Sequence, residues 1–146
     1  MNTVSEISKV QTKAQSGLKT HGIFMIAFLV IQYVLGMVTT MYVQFPDTTQ
    51  PDKLWAAARS QFPSAAHIVL GTLLLVAAVV FVIRAAKQKN QRWIRSSVAG
   101  LIAILVAVYG GVTFTTTQND IYSIIMAFAF IAAPLAYGWG LYATNG

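Results

Sequence analysis

The chain has two histidines and no cysteine among its 146 residues, so side-chain chemistry here turns on His21 and His67. A neutral imidazole can ligate haem iron or hydrogen-bond a quinone carbonyl. The missing thiols remove disulfides, thiolate metal sites and a catalytic cysteine. His67 opens the stretch HIVLG, and Gly71 lies one helical turn further along the same face, which leaves room beside the ring. His21 follows Lys19 and Thr20 at the edge of an apolar run and reads as an interfacial residue. The acidic residues are Glu6, Asp47, Asp52 and Asp120, all outside the long apolar runs. That excludes a buried carboxylate pair for acid–base work and denies a proton-coupled exchanger its usual intramembrane charge. No Ser/His/Asp grouping or glycine-rich phosphate loop is present.

The elements that must position these groups are membrane helices. Hydrophobic residues make up 56% of the chain and charged residues 10%, against about 25% charged in soluble domains. A bilayer core of about 30 Å needs roughly 20 apolar residues of helix, and runs at 22–43, 65–84, 94–114 and 121–142 meet that length. The expected fold is an all-α, integral membrane four-helix bundle. Its transmembrane domain covers 21–146, after a polar cytoplasmic segment at 1–20. Lys9, Lys13 and Lys19 precede the first span, and Arg84, Lys87, Lys89, Arg92 and Arg95 flank the second connection. The other connections carry Lys53 and Arg59 against Asp47 and Asp52, and Asp120 alone. Positive charge marks the cytoplasmic side, so both termini are expected inside, in a multi-pass protein of the cell membrane. The net charge of +6 is an orientation signal, and nucleic acid is not an expected partner. No small-residue cleavage site follows the first span, which is expected to stay as an anchor. His21 then lies at the inner end and His67 at the outer end, about 25–30 Å apart, so one planar cofactor cannot take both.

Between Pro51 and Pro63, DKLWAAARSQF sets Leu54, Trp55, Ala58 and Phe62 on one helical face. This reads as a short helix at the outer interface, serving as an anchor or as a lid over something held between the spans. Small residues let membrane helices approach closely. Ser96, Gly100, Ala103, Ala107 and Gly110 form such a stripe on the third span, which is expected to sit centrally. Ser123, Ala127, Pro134 and Gly138 form one on the fourth, with a kink at Pro134. Gln32, Gly36 and Thr40 on the first span, with Tyr109, Gly110 and Thr113 on the third, are the neighbours expected at the level of His67. Gln32 by default makes an interhelical hydrogen bond. Gly36-Met37-Val38-Thr39 is echoed by Gly110-Gly111-Val112-Thr113, which fits an origin from two hairpins.

The hairpin formed by QYVLGMVTT (Gln32 to Thr40), a loop containing Pro46, and HIVLG (His67 to Gly71) resembles one in the haem A synthase family. Each four-helix half of that family carries a helix rich in Gln, Leu, Gly and Thr, an outer loop, and a helix opening with a haem-ligating histidine. The resemblance implies haem b near the outer surface with His67 as iron ligand, and Gln32, Gly36 and Thr39 matching the preceding helix. The fourth span, opening IYSIIMAF, has no counterpart of the family's second histidine, and the family's catalytic glutamate is absent. The candidate cofactor site is therefore His67, Gly71, Gln32, Gly36, Thr39, Tyr109 and Gly110. The expected role is an accessory subunit of a larger membrane redox complex, with lipid, other membrane subunits or further copies of itself as partners. The alternatives are a stand-alone haem-binding or haem-modifying protein and a dimeric small transporter.

Overall fold

The computed structural model describes the backbone of Asn2–Ala143 and the side chains of Glu6 and of residues 15–142. Among the described residues five helices follow one another: α1 (Asn2–Tyr42), α2 (Pro51–Ser60), α3 (Phe62–Lys87), α4 (Gln91–Thr117) and α5 (Asp120–Ala143). Four of them, α2 excepted, are long and apolar enough to cross a membrane. α1 continues without interruption through the polar segment ahead of its apolar part. Local chemistry sets the ends. Pro51 and Asp52 open α2 and Arg59 closes it, in keeping with the helix dipole. The Asn90 side chain caps α4 by accepting from Trp93 N–H at 3.2 Å. The two tight connections each place a non-glycine residue in the left-handed region, Lys89 and Gln118, both with φ of 52°.

The four long helices form a ring in which α1 packs on α3, α3 on α4, α4 on α5 and α5 back on α1. Neighbours run antiparallel. His21 meets Arg84 while Gly36 meets His67 across α1 and α3, and Ser96 meets Gly140 while Gly110 meets Tyr122 across α4 and α5. The third span thus takes a corner of the ring and not its centre. Most of its large apolar side chains, like those of the other long helices, face outward, among them Ile102, Leu105 and Val106. In lipid that outward face meets a solvent as apolar as itself, so helix association rests on close packing.

That packing is tightest along α4 and α5. All five small residues of the stripe on α4, from Ser96 to Gly110, are buried. A β-carbon at Gly100 would fall on the Tyr137 ring, and one at Gly110 would sit 2.9 Å from the Tyr122 carbonyl oxygen. The matching face of α5 is Ala129, Ala133, Tyr137 and Gly140. It differs from the stripe expected there, since Ala127 is exposed and a β-carbon at Gly138 would meet nothing within 4 Å. The reason is volume complementarity. A large ring on α5 fills the notch of a glycine on α4, so the buried face of α5 is not its smallest one. α5 runs through Pro134 as one helix.

At the end of the ring that carries His21, the interior is filled by Phe81, Trp93 and Tyr137, all fully buried, with ring centroids 5.3 Å (Phe81–Trp93) and 5.6 Å (Phe81–Tyr137) apart. Trp93 wedges into Gly22 of α1 and Gly140 of α5. The other end is closed by α2, whose Leu54 and Ala58 are buried against α3 and α4. Phe62 does not extend that face. It opens α3 and is 81% exposed, because α2 ends at Ser60 and the extended Gln61 turns the chain. Replacing Gly100 by Ala drives a methyl group into a ring with no room to retreat, and should lower stability by about 1–3 kcal/mol. Gly138→Ala should leave it unchanged or raise it by up to about 1 kcal/mol. Thermal unfolding of the detergent-solubilised variants reads both.

Candidate functional site

The aromatic plug fills the ring's interior at the end that carries His21. Beyond it, towards α2, a cavity of about 320 Å³ opens between the helices, near the lower end of the range for small-molecule pockets. Its wall is mostly apolar, with Leu29, Leu74, Ile104 and Phe130 at the inner part and Phe45, Trp55 and Phe114 towards α2. Phe45 meets Phe114 edge-on at 6.3 Å. The loop before α2 is tied to the residue after it, because Gln61 Oε1 accepts from Gln44 N–H at 3.2 Å and Gln61 Nε2 donates to the Gln44 carbonyl at 3.0 Å. α2 and its flanks therefore cover the cavity, and Trp55 faces it as a lid residue would.

The polar groups of the wall cluster where α1 crosses α3. Gln32, only 4% exposed, donates through Nε2 to the His67 carbonyl at 2.9 Å. The His67 imidazole lies against Gly36 of α1, its Cε1 3.1 Å from where a β-carbon would be, with the Gln32 main-chain carbonyl alongside. In return, the Gln32 amide lies against Gly71 of α3, where a β-carbon would stand 2.9 Å from Nε2. Each helix thus offers a glycine, four residues after its own polar side chain, as the notch for its partner's polar side chain. QYVLG and HIVLG are the two halves of this interlock. Gly71 makes room for Gln32, and Gly36 makes the room for His67 that the sequence assigned to Gly71.

Two atoms in the interlock have no hydrogen-bond partner although both are buried, Gln32 Oε1 and His67 Nδ1. Gln32, His67, Gly36, Gly71 and Thr39 all line the cavity. The Thr39 hydroxyl is occupied, donating to the Leu35 carbonyl at 2.8 Å. Tyr109 and Gly110 are placed elsewhere. Tyr109 points outward, 60% exposed and edge-on to Tyr122 at 6.2 Å, and Gly110 is the notch for α5. With Gly110 turned to α5, Ala107, Gly111 and Thr115, at spacing four, reach the cavity from α4 beside Ile104, Val108, Val112 and Phe114. Met126 of α5 also lines the cavity and was not singled out by sequence. Its thioether resembles any other core methionine until the facing helices are known. His21 lies at the other end of the bundle, stacked on Phe81 at 4.4 Å. From His67 to the His21 partner Arg84 is about 25 Å along α3, so the two imidazoles serve separate places. Among the described residues, no three His, Cys, Asp or Glu side chains come together as a metal site.

No family model matches the chain, and no curated protein or solved structure matches it.

The interlock makes a prediction about pairs. Gly36→Ala presses on the rigid imidazole and should destabilise more than Gly71→Ala, which presses on the flexible end of Gln32. Removing the neighbour should relieve each penalty selectively, His67→Ala for Gly36→Ala and Gln32→Ala for Gly71→Ala. The coupling energies should be about 0.5–3 kcal/mol by double-mutant cycles on thermal or denaturant unfolding.

Proposed function

We propose that this chain is an accessory subunit of a larger membrane redox complex and holds a planar cofactor in the cavity at His67. The observation that carries the reading is the pair of buried, unpartnered polar atoms, Gln32 Oε1 and His67 Nδ1, in residues that line an otherwise apolar cavity. Such a group costs about 1–3 kcal/mol when nothing answers it, and a ligand with a matching polar group removes that cost. In the same reading the chain lies in the cell membrane with both termini cytoplasmic and α2 at the outer interface, as the charge bias suggests.

Haem b is the cofactor that the hairpin from Gln32 to Gly71 brings forward. His67 is the residue that would hold it. The His67 imidazole lines the cavity, and the Gln32 carbonyl beside it would orient the ring. Met126 is the other soft donor on the cavity wall. When bound, haem would supply one-electron transfer. The chain's own part is to fix the imidazole against Gly36 and to keep water out with Trp55 and Phe45. The cavity volume favours a second reading, in which the ring of a quinone enters and hydrogen-bonds to His67 and Gln32, because 320 Å³ suits one ring better than a macrocycle.

The test is an absorption spectrum, oxidised and dithionite-reduced, of protein purified from haem-replete cells in mild detergent, with quinone analysis of its solvent extract. A haem band absent from His67→Ala is the expected result. A colourless protein whose extract holds stoichiometric quinone, lost in His67→Ala, supports the second reading. If neither accompanies the protein, the cofactor proposal fails and the cavity is a water-filled or empty void. Co-migration with larger subunits on a native gel is expected of an accessory subunit, and a stable isolated protein would favour the stand-alone reading.

A further inference from the structure

A second site lies at the opposite end of the bundle and does not depend on the cavity. Arg84, in the last turn of α3, reaches back across α1, where its guanidinium NH1 donates to His21 Nδ1 at 3.2 Å. Its NH2 lies 3.4 Å from where a β-carbon at Gly17 would be. His21 is itself held flat on the fully buried Phe81, at 4.4 Å and an interplanar angle of 6°. The guanidinium thus rests on a rigid support and passes close over Gly17, yet Arg84 remains exposed. Because a guanidinium only donates, the Nδ1 it meets is unprotonated, and His21 brings no countercharge as a neutral ring.

Among the described residues no carboxylate supplies one. Asp47, Asp52 and Asp120 lie in or next to the connections at the far end, and Glu6 precedes Gly17 on α1 by about 16 Å of helix. The other described side-chain charges near this end are basic, with Lys87 one turn beyond Arg84 on the same face of α3 and Lys89, Arg92 and Arg95 following. On its other side Arg84 adjoins apolar surface, since Val80 and Ile83 of α3 and Phe24 of α1 are exposed. A positive fork at a helix end, above an apolar flank, matches a ligand with an anionic head and a hydrocarbon tail.

We propose that Arg84, positioned by His21 over Gly17 and assisted by Lys87, binds the phosphodiester of an anionic phospholipid. The planar guanidinium retains enough N–H groups to take two phosphate oxygens at once, while the acyl chains lie along Val80, Ile83 and Phe24.

The full-length protein in mild detergent is titrated with phosphatidylglycerol, phosphatidylcholine or inorganic phosphate, reading thermal stability and native-mass adducts. Phosphatidylglycerol should raise the unfolding temperature and persist as a one-to-one adduct, and phosphatidylcholine should do neither. Arg84→Gln should weaken that binding about tenfold or more, and His21→Ala should weaken it several-fold although the charge is unchanged. Lys89→Gln, which removes a charge outside the site, should have a much smaller effect. If Arg84→Gln does not fold, Arg84→Lys keeps the charge without the fork and should still lose several-fold. Equal losses in the arginine and Lys89 variants would reduce the effect to general charge attraction and overturn the site. Displacement of the lipid by millimolar phosphate would overturn it as well, assigning the guanidinium to a free anion.

Discussion

Every other feature of this bundle depends on how closely its helices can approach. Between helices surrounded by lipid there is no hydrophobic gain from exchanging a tail for a side chain, so cohesion comes from contact density and the few polar bonds that bridge helices. Glycines supply the contact by leaving holes. Gly100 takes the Tyr137 ring, Gly22 and Gly140 take Trp93, and Gly110 takes the α5 backbone itself. One bridging bond fixes the register of α4 against α5, from the Ser96 hydroxyl to the Ala136 carbonyl at 2.7 Å. With these residues seated, Phe81, Trp93 and Tyr137 must converge on the axis at one end. The plug leaves Trp93 Nε1 and Tyr137 OH buried without partners, which shows that volume, and not polar satisfaction, decided its composition.

The cavity is the counterpart of the plug. Four helices in a ring leave an axial space, and side chains of ordinary size fill it only where large rings point inward. Towards α2, Ala107, Gly111 and Thr115 of α4 offer the axis only short side chains, while the larger Phe114 is turned to Phe45. The space there is covered from above by α2. On the α1–α3 side, the reciprocal seating of Gln32 on Gly71 and His67 on Gly36 draws those two helices together, yet leaves one acceptor and one ring nitrogen unanswered. The same pair of residues is thus both the clasp of the helix pair and the polar part of the cavity wall.

The spans, their order and the small-residue face of α4 were legible in the sequence, because length, apolar runs and a single-helix periodicity are properties of one segment at a time. What was not legible depends on a partner. Tyr137 looked like an ordinary aromatic residue of α5 until Gly100 was found opposite it, and the stripe of Ser123, Ala127, Pro134 and Gly138 misled for the same reason. Tyr109 and Gly111 are two positions apart on one helix, so a rotation of about half a turn separates an outward ring from a residue on the cavity wall. QYVLG and HIVLG share a spacing, with a polar residue four places before a glycine. Their meaning as a reciprocal clasp requires the antiparallel register that sets Gln32 level with Gly71.

The two histidines show how one residue type is put to different uses by its surroundings. His67 is set among apolar groups and hydroxyls already committed to their own helices, such as Thr39 and Thr72. Its free ring nitrogen has no charged group on the cavity wall to answer it. His21 spends Nδ1 on a guanidinium and its face on a phenyl ring, so it orients a cation and, as a neutral ring, adds no countercharge of its own. A neutral polar site at one end and a positively charged one at the other follow from the same rule. Inside a bundle whose long apolar runs carry no acidic residue beyond Asp120 at the start of α5, the polar groups described at both ends are held by backbone notches and neutral partners.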